Sequence, residues 1–320
     1  MKTIELSADK TIQGIFNRDL IYIAMMVALF AAMPATNLYL YFIMQAFCLA
    51  IFACAFNLLI GYVGLLSFGH AMFIGTGGYI AAHALTAWGL SPELGFLTGV
   101  GAAFLLSVAA GIVAIRRQGI YFAMITMGLS QMLYFVYLQA PFTHGEDGIH
   151  GIPKGMLFGL IDLSDILSLY YVVLAVFVFV FLLIRRIVNS PFGEVLQAIR
   201  ENEQRAISLG YEADHYKLLA FILSGTLAGV AGALKVFVTQ NASLTDVHWH
   251  MSGEVVLMSL IGGLGTLFGP VIGAFIVSGM QQYLAGFGEW VTVIHGLVFI
   301  ACVLLFRRGI VGMLVRPGRL

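Results

Sequence analysis

Few side chains in this 320-residue sequence can do chemistry, and those few stand far apart. Four ionisable groups fall inside apolar runs: His70, His83, Glu254 and His295. A charge or imidazole at membrane depth is expensive, so each needs a partner or a task. Glu254 lies a few residues into its run, where it can cap a helix, meet another subunit or face a solute path. His70 is largely neutral near pH 7, which suits packing or a bond to backbone. His248 and His250 flank Trp249 without a third ligand, too few for a metal site. Cys48, Cys54 and Cys302 sit in apolar runs, make no CxxC pair, and read as small buried hydrophobes. There is no GxxxxGK(S/T), HExxH or GxSxG, and no carboxylate pair placed for acid–base work. The expectation is a chain that is not an enzyme and itself binds no metal or cofactor.

A different kind of work is open to the polar stretch 190–217. Ser190 and Pro191 mark a helix start, and Gly210 marks an exit. Between them Val195, Leu196, Ile199, Ala206, Ile207 and Leu209 form an apolar face, interrupted by the polar run Arg200, Glu201, Asn202, Glu203, Gln204 and Arg205. This predicts a short amphipathic helix within 191–210, lying on the membrane surface or in a partner's groove. The charged residues are either solvated or paired with charges on that partner. Gly225 and Gly229 make a GxxxG pattern extended by Gly232, suited to close helix packing within one subunit or to a seam between subunits.

The elements that must position these residues are set by composition. The sequence is 60% hydrophobic and 10% charged, with a mean hydropathy of +0.96. Soluble domains carry roughly 25% charged residues, so lipid must be the solvent for most of this chain. Net charge is zero, which offers no basic surface to nucleic acid. Apolar runs predict spans at 20–36, 38–60, 68–87, 93–115, 119–138, 167–184, 216–238, 252–267, 269–286 and 290–306. The fold class is therefore all-α, a polytopic membrane protein of about ten helices. The glycine-rich stretches at 61–79 and 262–273 predict broken or re-entrant segments.

Segments 2–18, 116–117, 185–217 and 307–319 hold fourteen of the sixteen Lys and Arg, which places them in the cytoplasm. Only Lys154 and Lys235 fall elsewhere. Ten spans return the C-terminus to the N-terminal side, so the chain reads as N-in, C-in. The expected organisation is a cytoplasmic tail at 1–19, a transmembrane domain at 20–306 and a second cytoplasmic tail at 307–320. The basic start before the run 20–35 reads as an uncleaved first helix, because further spans follow at once.

Three blocks carry a family resemblance. The run LQAIRENE at 196–203, then Ala206, Leu209 and Gly210, then YKLLAF at 216–221, closely resembles the branched-chain amino-acid permeases of the LivM type. The general coupling loop of ABC importer permeases carries Glu-Ala-Ala, three residues, then Gly. The matching positions are Gln204, Arg205, Ala206 and Gly210, with the second alanine and the glycine retained. GYVGLLSFGH at 61–70 with 75–79 is similar to the family's glycine-rich second block. IGGLGT at 261–266, with Gly269, Pro270, Gly273 and Ala274, is similar to its C-terminal block. The blocks run in collinear order over roughly 40–310.

This resemblance implies a permease subunit of an ATP-driven ABC importer in the bacterial inner membrane. The cargo would be branched-chain amino acids or a related small polar solute such as urea or a short amide. Implied partners are a second related permease, two cytosolic ATPases that carry the ATP-Mg, a periplasmic binding protein, and lipid. Coupling to the ATPase would fall to Arg200, Glu201, Glu203, Arg205, Ala206 and Gly210. The translocation path or subunit seam would involve Ser67, Gly69, His70, Gly75, Gly78, Glu254, Gly262, Gly263 and Gly265. The residues alone also admit a stand-alone secondary transporter or channel, although few acidic groups lie mid-membrane to couple an ion.

Overall fold

The computed structural model describes residues 21–36, 39–284 and 309–314, with 286, 293, 294, 296, 297 and 300. Helix α1 is Ile21–Ala32. It is followed by α2 (Leu40–Asn57), α3 (His70–Thr86), α4 (Pro92–Ala114), α5 (Ile120–Gln139) and α6 (Ile166–Val188). Two short helices come next, α7 (Pro191–Glu201) and α8 (Glu203–Ser208). Then follow α9 (Ala213–Thr239), α10 (Trp249–Gly262), α11 (Gly269–Leu284) and α12 (Gly309–Leu314). The all-α expectation needs a small amendment. Strand β1 (Ile149–His150) pairs antiparallel with β4 (Asn241–Ala242), and β2 (Met156–Leu157) with β3 (Ile161–Asp162). These ribbons give the Gly- and Pro-rich segment after α5 its backbone partners.

Among the described residues five helices are long and apolar enough to cross a membrane: Leu40–Val63, α4, α5, α6 and α9. Helices α3, α10 and α11 have 17, 14 and 16 residues, short of the roughly 20 that a bilayer requires. These are the elements bounded by the glycine-rich blocks, where the chain is broken as expected. Helix α2 ends in a single π turn, Leu58–Val63, and the backbone then runs non-helical until His70. Most of the expected span 290–306 and most of both expected tails lie outside the described residues.

Helices α2 and α9 are buried along most of their length. Helix α2 is apolar all round, as a central helix must be. Helix α4 shows how small residues choose a face. Its buried positions are Pro92, Gly95, Gly99, Ala103, Ser107, Ala110, Gly111 and Ala114, while Leu94, Leu97, Phe104, Leu105, Ile112 and Val113 are exposed. In lipid there is no hydrophobic gain in hiding leucine, so close contact of small faces drives association. That face packs on α3 and α9. A Cβ at Gly77 would meet the Gly229 carbonyl, one at Gly229 the Ala103 methyl, and one at Gly99 the Gly77 carbonyl. The GxxxG pattern of α9 is thus used within this subunit.

Candidate functional site

The polar stretch 190–217 folds as two helices where one was expected. Ser190 caps α7, its Oγ accepting from the Gly193 N–H. The helix breaks at Asn202, which takes an extended backbone, and its Oδ1 accepts from the Arg205 N–H at 3.0 Å to start α8. An asparagine offers the backbone this alternative to a continued helix. Helix α8 ends in a Schellman motif: Tyr211 N–H donates to Ala206 O at 3.2 Å, and Gly210 N–H to Ile207 O at 2.9 Å. Gly210 sits at φ +94° to allow it.

The expected apolar face divides. Leu196, Ile199 and Ala206 are buried and Val195 is half-buried, but Ile207 and Leu209 are 48% and 71% exposed. The break at Asn202 turns the second half outward. Tyr211 is exposed beside them, so the tip of the loop is apolar and uncovered.

The charges divide as well. The Arg200 guanidinium donates to the Gly61 carbonyl in the π turn after α2. Glu203 accepts from Lys217 on α9 and from Gln118 between α4 and α5, the latter at 2.8 Å. The Lys217 side chain is 3% exposed and that of Glu203 21%, so both are held inside the fold. Glu201, Arg205 and, apart from its bond to Gly61, Arg200 are exposed. Removing one partner of a buried pair strands the other. Glu203→Gln is expected to destabilise the solubilised protein by about 2–3 kcal/mol, read as a lower melting temperature. Unchanged melting would mean that Lys217 rests on Asp214, 3.8 Å away, instead.

The backbone that receives Arg200 is braced by a residue the sequence did not single out. Asn57 is buried at the end of α2. Its Nδ2 donates to Thr266 O and its Oδ1 accepts from Gly265 N–H, both at 3.0 Å. A Cβ at Gly61 would strike Asn57 Oδ1 and, at 2.7 Å, Gly265 N. One hub therefore joins α7, the π turn and the α10–α11 turn. A lone asparagine between Phe56 and Leu58, one turn before a glycine block, was the available signal.

The other glycine-block residues are interior. His70 is fully buried, edge-on to Phe56, Phe73 and Phe221. Its Nε2 lies 2.8 Å from Ser224 Oγ, which donates to Ala55 O at 2.5 Å. Ser67 is buried and accepts from Gly69 N–H at 3.2 Å. Gly69 abuts Thr126, Gly75 abuts Val247, and Gly78 faces Gly232 and Val236. Gly262 lies against Gly269, and Gly263 against Gly309. His83 is edge-on to Trp88 and Phe142. His295 lies outside the described residues.

At the other end of the bundle a cavity of about 380 Å³ opens between α2, α9, α10 and α11. Glu254 faces it and accepts from Gln281 Nε2 at 2.8 Å. Lys235 and Asp246 also line it, with Nζ and Oδ1 2.5 Å apart. His248, on the loop before α10, caps that helix by accepting from His250 N–H at 3.4 Å. Partial burial, and then the adjacent His250, hold its imidazole below the ordinary value, so it stays neutral as an acceptor. No group of three or more potential metal ligands occurs among the described residues.

The model of the family described as "Branched-chain amino acid transport system / permease component" matches residues 38–305. The chain belongs to this family. The permease is 29% identical to the high-affinity branched-chain amino acid transport system permease protein LivM of Salmonella typhimurium, over 82% of this chain and 67% of the relative. It is 26% identical to a probable branched-chain amino acid transport permease protein LivH of Methanocaldococcus jannaschii, over 77% and 83%. With the autoinducer 2 import system permease protein LsrC of Yersinia enterocolitica it shares 25% identity, over 72% and 61%. No solved structure matches. In the permease the three sequence blocks that resemble the family meet at the hub around Asn57, through Gly61, Arg200 and Gly265.

Proposed function

We propose that this permease is the conduit subunit of an ATP-driven ABC importer, carrying branched-chain amino acids or a related small polar solute across the bacterial inner membrane. The observation that carries this is the braced loop of α7 and α8. Its apolar tip of Ile207, Leu209 and Tyr211 is uncovered, while Arg200 and Glu203 tie its root to the membrane helices. A short rigid helix with an exposed apolar tip is suited to a cleft in a partner. A push on the tip reaches the π turn of α2 through Arg200, and α9 through Glu203 and Lys217.

On this reading Glu201 and Arg205 meet charges on a cytosolic ATPase, with Gly210 setting the tip's exit. Ala206 holds the tip close to the permease itself, while Arg200 and Glu203 transmit through their bonds to Gly61 and Lys217. Two such ATPases carry the ATP-Mg, a second related permease completes the path, and a periplasmic binding protein delivers solute from outside. The basic segments support N-in, C-in with about ten spans. The path follows the side that holds Glu254, with the blocks Ser67 to Gly78 and Gly262 to Gly265 packing its walls. The names of the LivM and LivH relatives support amino-acid cargo, and that of LsrC supports breadth across the family. Urea and short amides fit the same small polar class.

The competing reading is a transporter or channel that works alone. Proteoliposomes that hold both permeases decide between them. Leucine uptake is expected only when the ATPases, ATP and the binding protein are present. Uptake without ATPases would overturn the importer reading.

A further inference from the structure

We propose that the outer cavity between α2, α9, α10 and α11 is a receiving site for an aliphatic α-amino acid in its zwitterionic form, with Glu254 taking the ammonium and Lys235 the carboxylate. This rests on the importer reading and deepens it, because that reading does not place cargo on particular side chains.

Three charged side chains converge on the cavity from three elements. Lys235 comes from α9, Asp246 from the short turn before α10, and Glu254 from α10. Both members of the Lys235–Asp246 pair are largely buried, their side chains 14% and 13% exposed. A buried pair gains little over apolar residues of the same size, so it is weak evidence for a purely structural role. Lys235 is also one of two basic residues outside the cytoplasmic segments. Ionisable groups kept in a membrane domain and facing a cavity mark a solute pathway.

The charges select the solute. Two carboxylates and one lysine face the same cavity, an arrangement that offers a partner to each end of a zwitterion. Lys235 has three N–H donors and spends one on Asp246 Oδ1 at 2.5 Å. The others can meet a carboxylate that arrives with the ammonium. As that carboxylate competes for Lys235, Asp246 can turn to the ammonium beside Glu254. The Lys235–Asp246 pair is given up as the cargo pairs form, and its loss offsets part of their gain, so cargo can enter and leave without a deep well. Leu49 and Met251 supply an apolar wall for the aliphatic side chain. The cavity, about 380 Å³, lies at the small end of ligand sites and suits a single amino acid.

The test uses the complete importer in proteoliposomes, with leucine uptake and ATP hydrolysis measured together. Glu254→Gln removes charge without changing shape, and the paired change Lys235→Met with Asp246→Asn removes both charges of the buried pair with little change of volume. Each is expected to lower leucine uptake per ATP by about tenfold or more, the loss of one charge-assisted contact. Hydrolysis stimulated by the loaded binding protein should stay within about twofold, because the inner hub is untouched. Unchanged uptake per ATP in both variants overturns the site while leaving the importer reading intact. Loss only in Glu254→Gln means that an ammonium alone is bound, which overturns the zwitterion assignment. A wild-type complex without ATP-dependent leucine uptake overturns the importer reading, and this site with it.

Discussion

Gly232→Val is expected to leave little folded permease. A Cβ at this position would overlap the Ile74 carbonyl oxygen, with the carbonyl carbon at 2.7 Å and Cα at 3.0 Å. All three are backbone atoms of α3, which cannot rotate away as a side chain would. The helices must part, and α4 rests on both, so the third member of the cluster loses its seat. Overpacking of ordinary cores costs roughly 1–3 kcal/mol, and backbone against backbone belongs at or above the top of that range. In a lipid-embedded bundle close contact is the main adhesive force, so the loss is not recovered elsewhere. Thermal melting of the detergent-solubilised protein, with yield at fixed expression, checks this. Gly128→Ala is the control, since Gly128 is exposed on α5 with no atom within 4 Å of its added Cβ. It should melt at or above the wild-type temperature, because alanine favours helix by about 1 kcal/mol over glycine. Wild-type melting of Gly232→Val would remove the interlock as the basis of the α3–α9 contact.

The second large effect is on coupling. Gly210→Val should permit normal insertion and folding, because no atom lies within 4 Å of the added Cβ. The backbone, at φ +94°, is the obstacle. A left-handed conformation costs an L-residue roughly 1–2 kcal/mol, and a β-branched one more. The Schellman motif then gives way to other exits, and the apolar tip no longer holds one direction. On the proposed coupling role, uptake per ATP should fall by about tenfold or more while hydrolysis continues. Gly210→Asn should retain most transport, since asparagine tolerates this region. Equal uptake per ATP for Gly210→Val and wild type would remove the coupling assignment.

The large features of this fold were legible because they rest on patterns that repeat. Long apolar runs give helices, and the small residues of α4 recur at helical spacing on one face. The glycine blocks were legible as interruptions, and the chain is broken at both. Single hydrogen bonds were not legible. Asn202 stands in a helical pattern, and its side chain tips the balance toward a cap by one bond to Arg205 N–H. Periodicity carries no trace of that choice, so one helix was expected, with Ile207 and Leu209 on the same apolar face as Leu196 and Ile199. Arg200 and Glu203 looked alike as surface charges, because their partners lie 139 and 14 residues away along the chain. Glu254 was found from its depth alone. Lys235 stood out only as a basic residue outside the four basic segments, and its partner Asp246 and the cavity beside it were not legible.

The contact between α3, α4 and α9 is made of backbone on backbone, and this distributes stiffness unevenly through the molecule. Packed carbonyls and glycine Cα atoms have no second arrangement, so those three helices must travel as one solid. Helices α10 and α11 are interlocked in the same way, Gly262 on the Gly269 carbonyl and Gly273 on the Met258 carbonyl, but polar bonds are added on that side: the Asn57 amide at one end, and Lys235, Asp246, Glu254 and Gln281 at the other. Each of those bonds can be traded for water or solute and then made again. The exchangeable bonds thus lie where the cavity opens and at the π turn, and on the proposed coupling role a displacement entering through Arg200 would meet them there.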